Sequence, residues 1–190
     1  MKPIIIIGKS NSGKTTLLPV LSKKLNANPI TTYTTRPRRP GEAKNTYHFI
    51  SPFLFKLLII FRFFAEYTSY NASFGKVFYG SSKRSFKNNS IIILNPYGVK
   101  AIKSKINCYV VYLNISNDLA EKRALLRGDN PIEIKRRLQQ DNKDFDKIEN
   151  FCDIIYTVDE NSTVDEVSDR ILKELKDLEN RRMEIYERFC

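Results

Sequence analysis

Gly8 is followed five residues later by Gly13, and Lys14, Thr15 and Thr16 come next. This spacing fits G-x-x-x-x-G-K-[ST], whose chemistry is the cradling of phosphate. Glycines let backbone N–H groups turn inward around an anion, and the helix that follows adds the positive end of its dipole. Lys14 can reach the β- and γ-phosphates of a nucleoside triphosphate, and the Thr15 hydroxyl can ligate Mg²⁺. Ser10, Asn11, Ser12 and Thr16 complete the expected ATP contacts. The plainer alternative is a strand–turn–helix with a chance match. The apolar run at 4–7 before the loop and Leu17 behind it put the motif in the setting its chemistry needs.

A second constellation runs Thr31-Thr32-Tyr33-Thr34-Thr35-Arg36-Pro37-Arg38-Arg39-Pro40-Gly41-Glu42. Guanidinium groups grip phosphate bidentately, and three of them within four positions, pinned by prolines, would do so at little entropic cost. On spacing alone, a solvated basic loop is an equal alternative. Glu66 lies among aromatic residues, where an unpaired charge would be costly. His48 is the only histidine and reads as a flanking side chain rather than a catalyst.

Positioning these groups falls to an alternation of strands and helices. Runs at 3–7, 90–94, 108–113 and 153–158 read as buried parallel strands. Helical patterns occupy 14–24, about 97–103, about 118–126, 131 to about 149, and 164–187. The fold class is therefore α/β, a parallel sheet flanked by helices. The region 31–83 breaks the alternation and reads as an inserted lobe. Within it, the apolar stretch 53–64 is expected to be a buried helix running into a strand. It is too short to span a bilayer, and a membrane-surface helix is a minor alternative because no strongly polar face accompanies it.

Composition sets the outer bounds. The 190 residues suit one domain with small inserted lobes. Lys and Arg number 32 against 21 Asp and Glu, an excess of +11 that suits anionic partners such as nucleotides. Cys108, Cys152 and Cys190 lack metal-ligand spacing and suggest reduced thiols in a cytoplasmic protein. The run 4–7 is too short for the core of a signal peptide.

Taken in order, the motifs resemble those of guanylate kinases. The phosphate loop is followed by Thr32-Tyr33-Thr34-Thr35-Arg36 with Arg39, Gly41 and Glu42, then Tyr47-His48-Phe49, Phe64-Ala65-Glu66 and Tyr79-Gly80-Ser81. The segment Lys122-Arg123-Ala124-Leu125-Leu126-Arg127-Gly128, with Lys135-Arg136-Arg137-Leu138, is similar to the lid of that family. The resemblance implies a P-loop fold and Mg²⁺-dependent transfer of the ATP γ-phosphoryl group to GMP or dGMP. Arg36, Arg39, Tyr47 and Tyr79 match positions that hold the acceptor phosphate. Thr32, Glu66 and Ser81 match those that read guanine, and Arg123, Arg127 and Arg137 match arginines that close over the transferring group. Lys14, Arg36 and these three arginines are the implied catalytic set. The implied units are core 1–30, acceptor lobe 31–83, core 84–122, lid 123–140 and core 141–190. Guanine's chemistry agrees: a carboxylate such as Glu66 accepts from N1–H and the 2-amino group, and a hydroxyl donates to O6.

Two positions depart from the family pattern. Its Asp-x-Asp pair aligns with Ile93 and Asn95, so metal organisation weakens and Asn95 offers guanine an uncharged carbonyl oxygen. Altered substrate preference or reduced turnover is expected. An insertion at 73–76 is expected to lengthen a hairpin loop, and the greasy segment 57–61 suggests a thicker local core or an oligomer contact. The alternatives are a kinase for another (deoxy)nucleoside monophosphate and a non-catalytic phosphopeptide-binding module, the intact phosphate loop weighing against the latter. Expected partners are small nucleotides, with no nucleic acid and no membrane, in a monomer or homodimer.

Overall fold

The computed structural model describes every residue except 39–41, 43–45, 73–74 and 190, with backbone alone for 72 and 185–189. The strands are β1 (Ile4–Gly8), β2 (Asn28–Pro29), β3 (Tyr33–Thr34), β4 (His48–Phe49), β5 (Phe64–Ala72), β6 (Gly75–Ser82), β7 (Ser90–Ile93), β8 (Tyr109–Ile115) and β9 (Ile154–Val158). The helices are α1 (Lys14–Leu25), α2 (Pro52–Ile60), α3 (Pro96–Ile102), α4 (Asn117–Leu126), α5 (Pro131–Asp144) and α6 (Val164–Phe189).

One sheet has five parallel strands in the order β2-β7-β1-β8-β9. In β1, Ile4 and Ile6 pack among α1 and α6 side chains, including Leu17, Leu21, Ile171 and Leu175. Ile5 and Ile7 face the opposite cluster with Val99 and Ile102 of α3. A strand covered on both faces must be apolar at every position, which is why β1 reads as unbroken isoleucine. Lys24 of α1 ties down α6 through Asp165 and Asp169 at 3.2 and 2.7 Å.

A second sheet, β4-β3-β6-β5, stands on the segment between β2 and β7. Its long hairpin pairs Thr68 with Tyr79 and Ala72 with Gly75. The expected 73–76 insertion therefore extends the paired strands, because Gly75 and Lys76 sit in the ladder; residues 73–74 lie outside the described residues.

Three other expectations are corrected. The helix from Pro131 stops at Asp144, where Phe145 and, past a left-handed Lys147, Ile148 turn in to be buried against Tyr112. The two-residue strand β2, too short to leave a periodic signal, extends the sheet edge. The apolar segment does form α2 and run into β5, but α2 buries only Phe55, stacked on Phe64 at 4.4 Å. A nine-residue helix on the rim of a small sheet has one side to bury, so an all-round apolar sequence leaves its other face in water. Of the greasy segment 57–61, Leu57, Leu58 and Ile59 are half-buried and Ile60 and Phe61 exposed, so it adds little to the core. Among the described residues no helix is long and apolar enough to cross a membrane.

Candidate functional site

The loop between β1 and α1 is held by close approach. A side chain at Gly8 would run into the Ser12 hydroxyl and lie 2.8 Å from the Leu113 carbonyl oxygen. Gly13 adopts φ +92°, a left-handed value that glycine takes at no steric cost. As N-cap of α1 it offers no side chain to the helix's first amides, and the first turn carries no acid. Those amides, which in any helix lack intrahelical partners, face an anion site by construction.

Ser10 to Leu17 line a cavity of about 550 Å³ together with Arg123, Arg127 and Arg137. All seven expected ATP-contact residues are therefore brought together with the three expected lid arginines. Arg127 donates to the Asn11 side chain at 2.9 Å, and Arg123 to the Asn11 carbonyl at 3.4 Å. Lys14 Nζ folds back on the Gly8 and Lys9 carbonyls, both at 2.7 Å. Burial pushes the Lys14 ammonium down to about 8, with the Asp141 charge acting in the opposite direction.

A second cavity, about 990 Å³, opens between the two sheets. Thr32, Arg36, Tyr47, Glu66, Tyr79 and Asn95 line it. Arg36 is paired with Glu42 at 2.6 Å and lies over the Tyr47 and Phe49 rings. Glu66 is only 5% exposed, and burial raises its carboxyl above the usual range. The Ser81 hydroxyl and N–H temper that rise, yet Ser81 Oγ makes no hydrogen bond of full geometry despite being buried. A carboxyl buried to this extent is expensive unless a ligand completes its hydrogen bonds. Ser81, the ladder partner of Glu66, is fully buried and, unlike Glu66 and the expected Thr32, does not line the cavity. Arg39 lies outside the described residues.

Asn95 caps α3, its Oδ1 accepting from Gly98 N at 2.8 Å, and its amide donates to Tyr70 Oη at 2.7 Å. Its carbonyl oxygen is already engaged by the helix start. Ile93 lines the same wall and supplies no oxygen.

Two participants escaped sequence reasoning. Asp141 of α5 accepts from the Ser10 backbone N–H at 2.6 Å, which places a carboxylate on the phosphate loop. It stands one helical turn after Arg137, a spacing that puts both on one face of α5. Tyr70 reaches the cavity from the long hairpin. Ser10, Lys14 and Arg137 line both cavities, so the two chambers meet at these three residues. Arg137 is oriented there by Glu133 at 2.9 Å.

The guanylate kinase family profile matches residues 1–178. Among solved structures, the guanylate kinase of Anaplasma phagocytophilum superposes with a TM-score of 0.65 at 20% identity, covering 93% of this chain and 86% of that one. The YorR protein of Bacillus subtilis, solved in complex with phosphorylated GDP, gives a TM-score of 0.53 at 20% identity over 94% of this chain and 98% of its own. These likenesses concern the fold. No curated protein matches the sequence.

Proposed function

The chain belongs to the guanylate kinase family, and from that premise we propose that it transfers the γ-phosphoryl group of ATP to GMP or dGMP. The observation that carries the reading is the pair of cavities joined at Ser10, Lys14 and Arg137. One has the donors of a triphosphate cradle, and the other ends in a buried carboxyl.

ATP would lie against residues 10–16, with the phosphates on the α1 amides and Lys14. Acceptor lobe 31–83 would seat the monophosphate between Arg36, Tyr47 and Tyr79. Glu66 would accept from guanine N1–H and the 2-amino group, while Thr32 donates to O6; Ser81, matched to the family's base-reading positions, would act from beside the Glu66 carboxyl. Adenine presents an acceptor at N1 and would face that carboxylate repulsively. Segment 123–140, with Arg123, Arg127 and Arg137, would act as the lid. Phosphoryl transfer asks for positioning and charge neutralisation, and Lys14 with these arginines meets that demand without a protein nucleophile.

Thr15 is the side chain suited to Mg²⁺. Among the described residues no cluster of three or more acidic, His or Cys side chains could hold a metal, which suits an ion carried chiefly by the nucleotide's own phosphate oxygens. When bound, it would offset charge on the phosphates. Ile93 and the engaged Asn95 favour slower turnover or looser base choice than a site with two acids.

A coupled assay across GMP, dGMP, AMP, dTMP and UMP tests the reading. GMP or dGMP should give the highest kcat/KM, and Glu66→Gln should shrink its margin over AMP by about 10²-fold or more, since buried polar partners would be mismatched. Equal use of AMP and GMP by the native chain would overturn the assignment.

A further inference from the structure

Opposite Phe55, α2 and its C-cap Phe61 carry Phe53, Leu54, a half-buried Leu57, Ile60 and Phe61, spaced i, i+1, i+4, i+7 and i+8 on one face. Phe53, Ile60 and Phe61 are 77%, 74% and 71% exposed, so the stripe stands out as a ridge rather than lining a recess. None of the five lines either nucleotide cavity.

The surroundings are cationic. Lys56 and Arg62 flank the stripe, both exposed, Arg62 at a left-handed φ of +52°. Lys83 is hydrogen-bonded to the Phe63 carbonyl at 3.1 Å, which brings the exposed Lys83–Arg84 turn beside the end of the helix. These four cations form no ion pair among the described residues. Acids are also sparse in this part of the chain: of its 21 Asp and Glu residues only Glu42 and Glu66 precede Asp118. Glu42 is paired with Arg36, and Glu66 is buried in the acceptor cavity.

We propose that α2, with the Lys83–Arg84 turn, docks the protein onto an anionic lipid surface, its apolar ridge entering the headgroup boundary and its cations meeting lipid phosphate and carboxylate. The sequence by itself lacks the polar face this requires; the fold supplies it from a turn more than twenty residues away. Protruding aromatic and aliphatic side chains ringed by Lys and Arg suit a surface that moulds around them. A second copy docked through the same face would set four cations against the same four. Its contact would also be far smaller than the ~20–30 residues a side of a stable interface. Nucleic acid would exploit aromatic rings for stacking but leave Leu54, Leu57 and Ile60 in water.

The test is co-sedimentation of the whole chain with vesicles of phosphatidylcholine alone and with about one-third phosphatidylserine. Binding is expected only to the anionic vesicles, and to weaken as salt rises. Phe53→Ser/Phe61→Ser and Lys56→Glu/Lys83→Glu should each lower the partition coefficient about tenfold or more, while the first keeps native nucleotide turnover in solution and so reports a folded enzyme. The proposal fails if the native chain ignores anionic vesicles or if both variants bind as it does. It fails equally if the native chain sediments as a dimer that Phe53→Ser/Phe61→Ser dissociates, or if a nucleic-acid oligomer displaces it from vesicles with no dependence on Phe61.

Discussion

Lys14 concentrates the electrostatics of the site in one group. Burial holds its ammonium down to about 8 in a pocket where Asp141 is the nearby counter-charge. A bound triphosphate favours the charged form, so above pH 8 nucleotide binding must take up a proton. The apparent ATP affinity should therefore be flat below about pH 7 and weaken about tenfold per pH unit above pH 8. Titration calorimetry across pH 6–10 checks it, and Lys14→Met should bind weakly with no break near 8. Asp141→Asn should move the break to lower pH by removing the charge that supports the ammonium; an unmoved break would refute the coupling. Lys14 was legible from the loop motif, because P-loop chemistry is written in consecutive residues. Asp141 was not, because its contact with Ser10 spans 131 positions and depends on how α5 lies across the loop.

At the scale of elements, α2 hangs on a single side chain. Phe55 is fully buried, stacks on Phe64 and approaches Phe78 at 5.3 Å. Gly80 of β6 leaves room for both rings: a Cβ there would sit 3.0 Å from Phe55 and from Phe64. Phe55→Ala should cost about 3–5 kcal/mol of stability, the range for deleting a buried phenyl group. Because the ring props the sheet that carries Glu66 and Tyr79, the acceptor KM should rise while the ATP KM stays near native. Denaturant melts and two-substrate kinetics read the two effects separately. The four main strands of the parallel sheet and most helices were readable in advance, since unbroken β-branched runs and a 3.6-residue stripe are local signals. The edge strand β2 and the exposure of α2 were not, because both depend on what lies alongside.

For the whole molecule, the decisive arrangement is two cavities with a common wall. Arg137 lines both and is held by Glu133, so its guanidinium stands where charge would pass between donor and acceptor. Arg137→Ala should lower kcat about 10²-fold or more, with much smaller changes in either KM, as expected for a group whose contribution grows with developing charge. Equal losses in KM and none in kcat would assign it to ground-state binding instead. The sequence by itself determined the phosphate loop, the α/β alternation and the ordered motifs of the family, because each is encoded within a few consecutive residues. Tertiary structure alone decided that Asn95 spends its oxygen capping α3, that Asp141 reaches the phosphate loop, and that α2 keeps a greasy face in water beside unpaired cations. Those outcomes depend on contacts between segments far apart in the chain, where burial and pairing are settled by neighbours that no local pattern names.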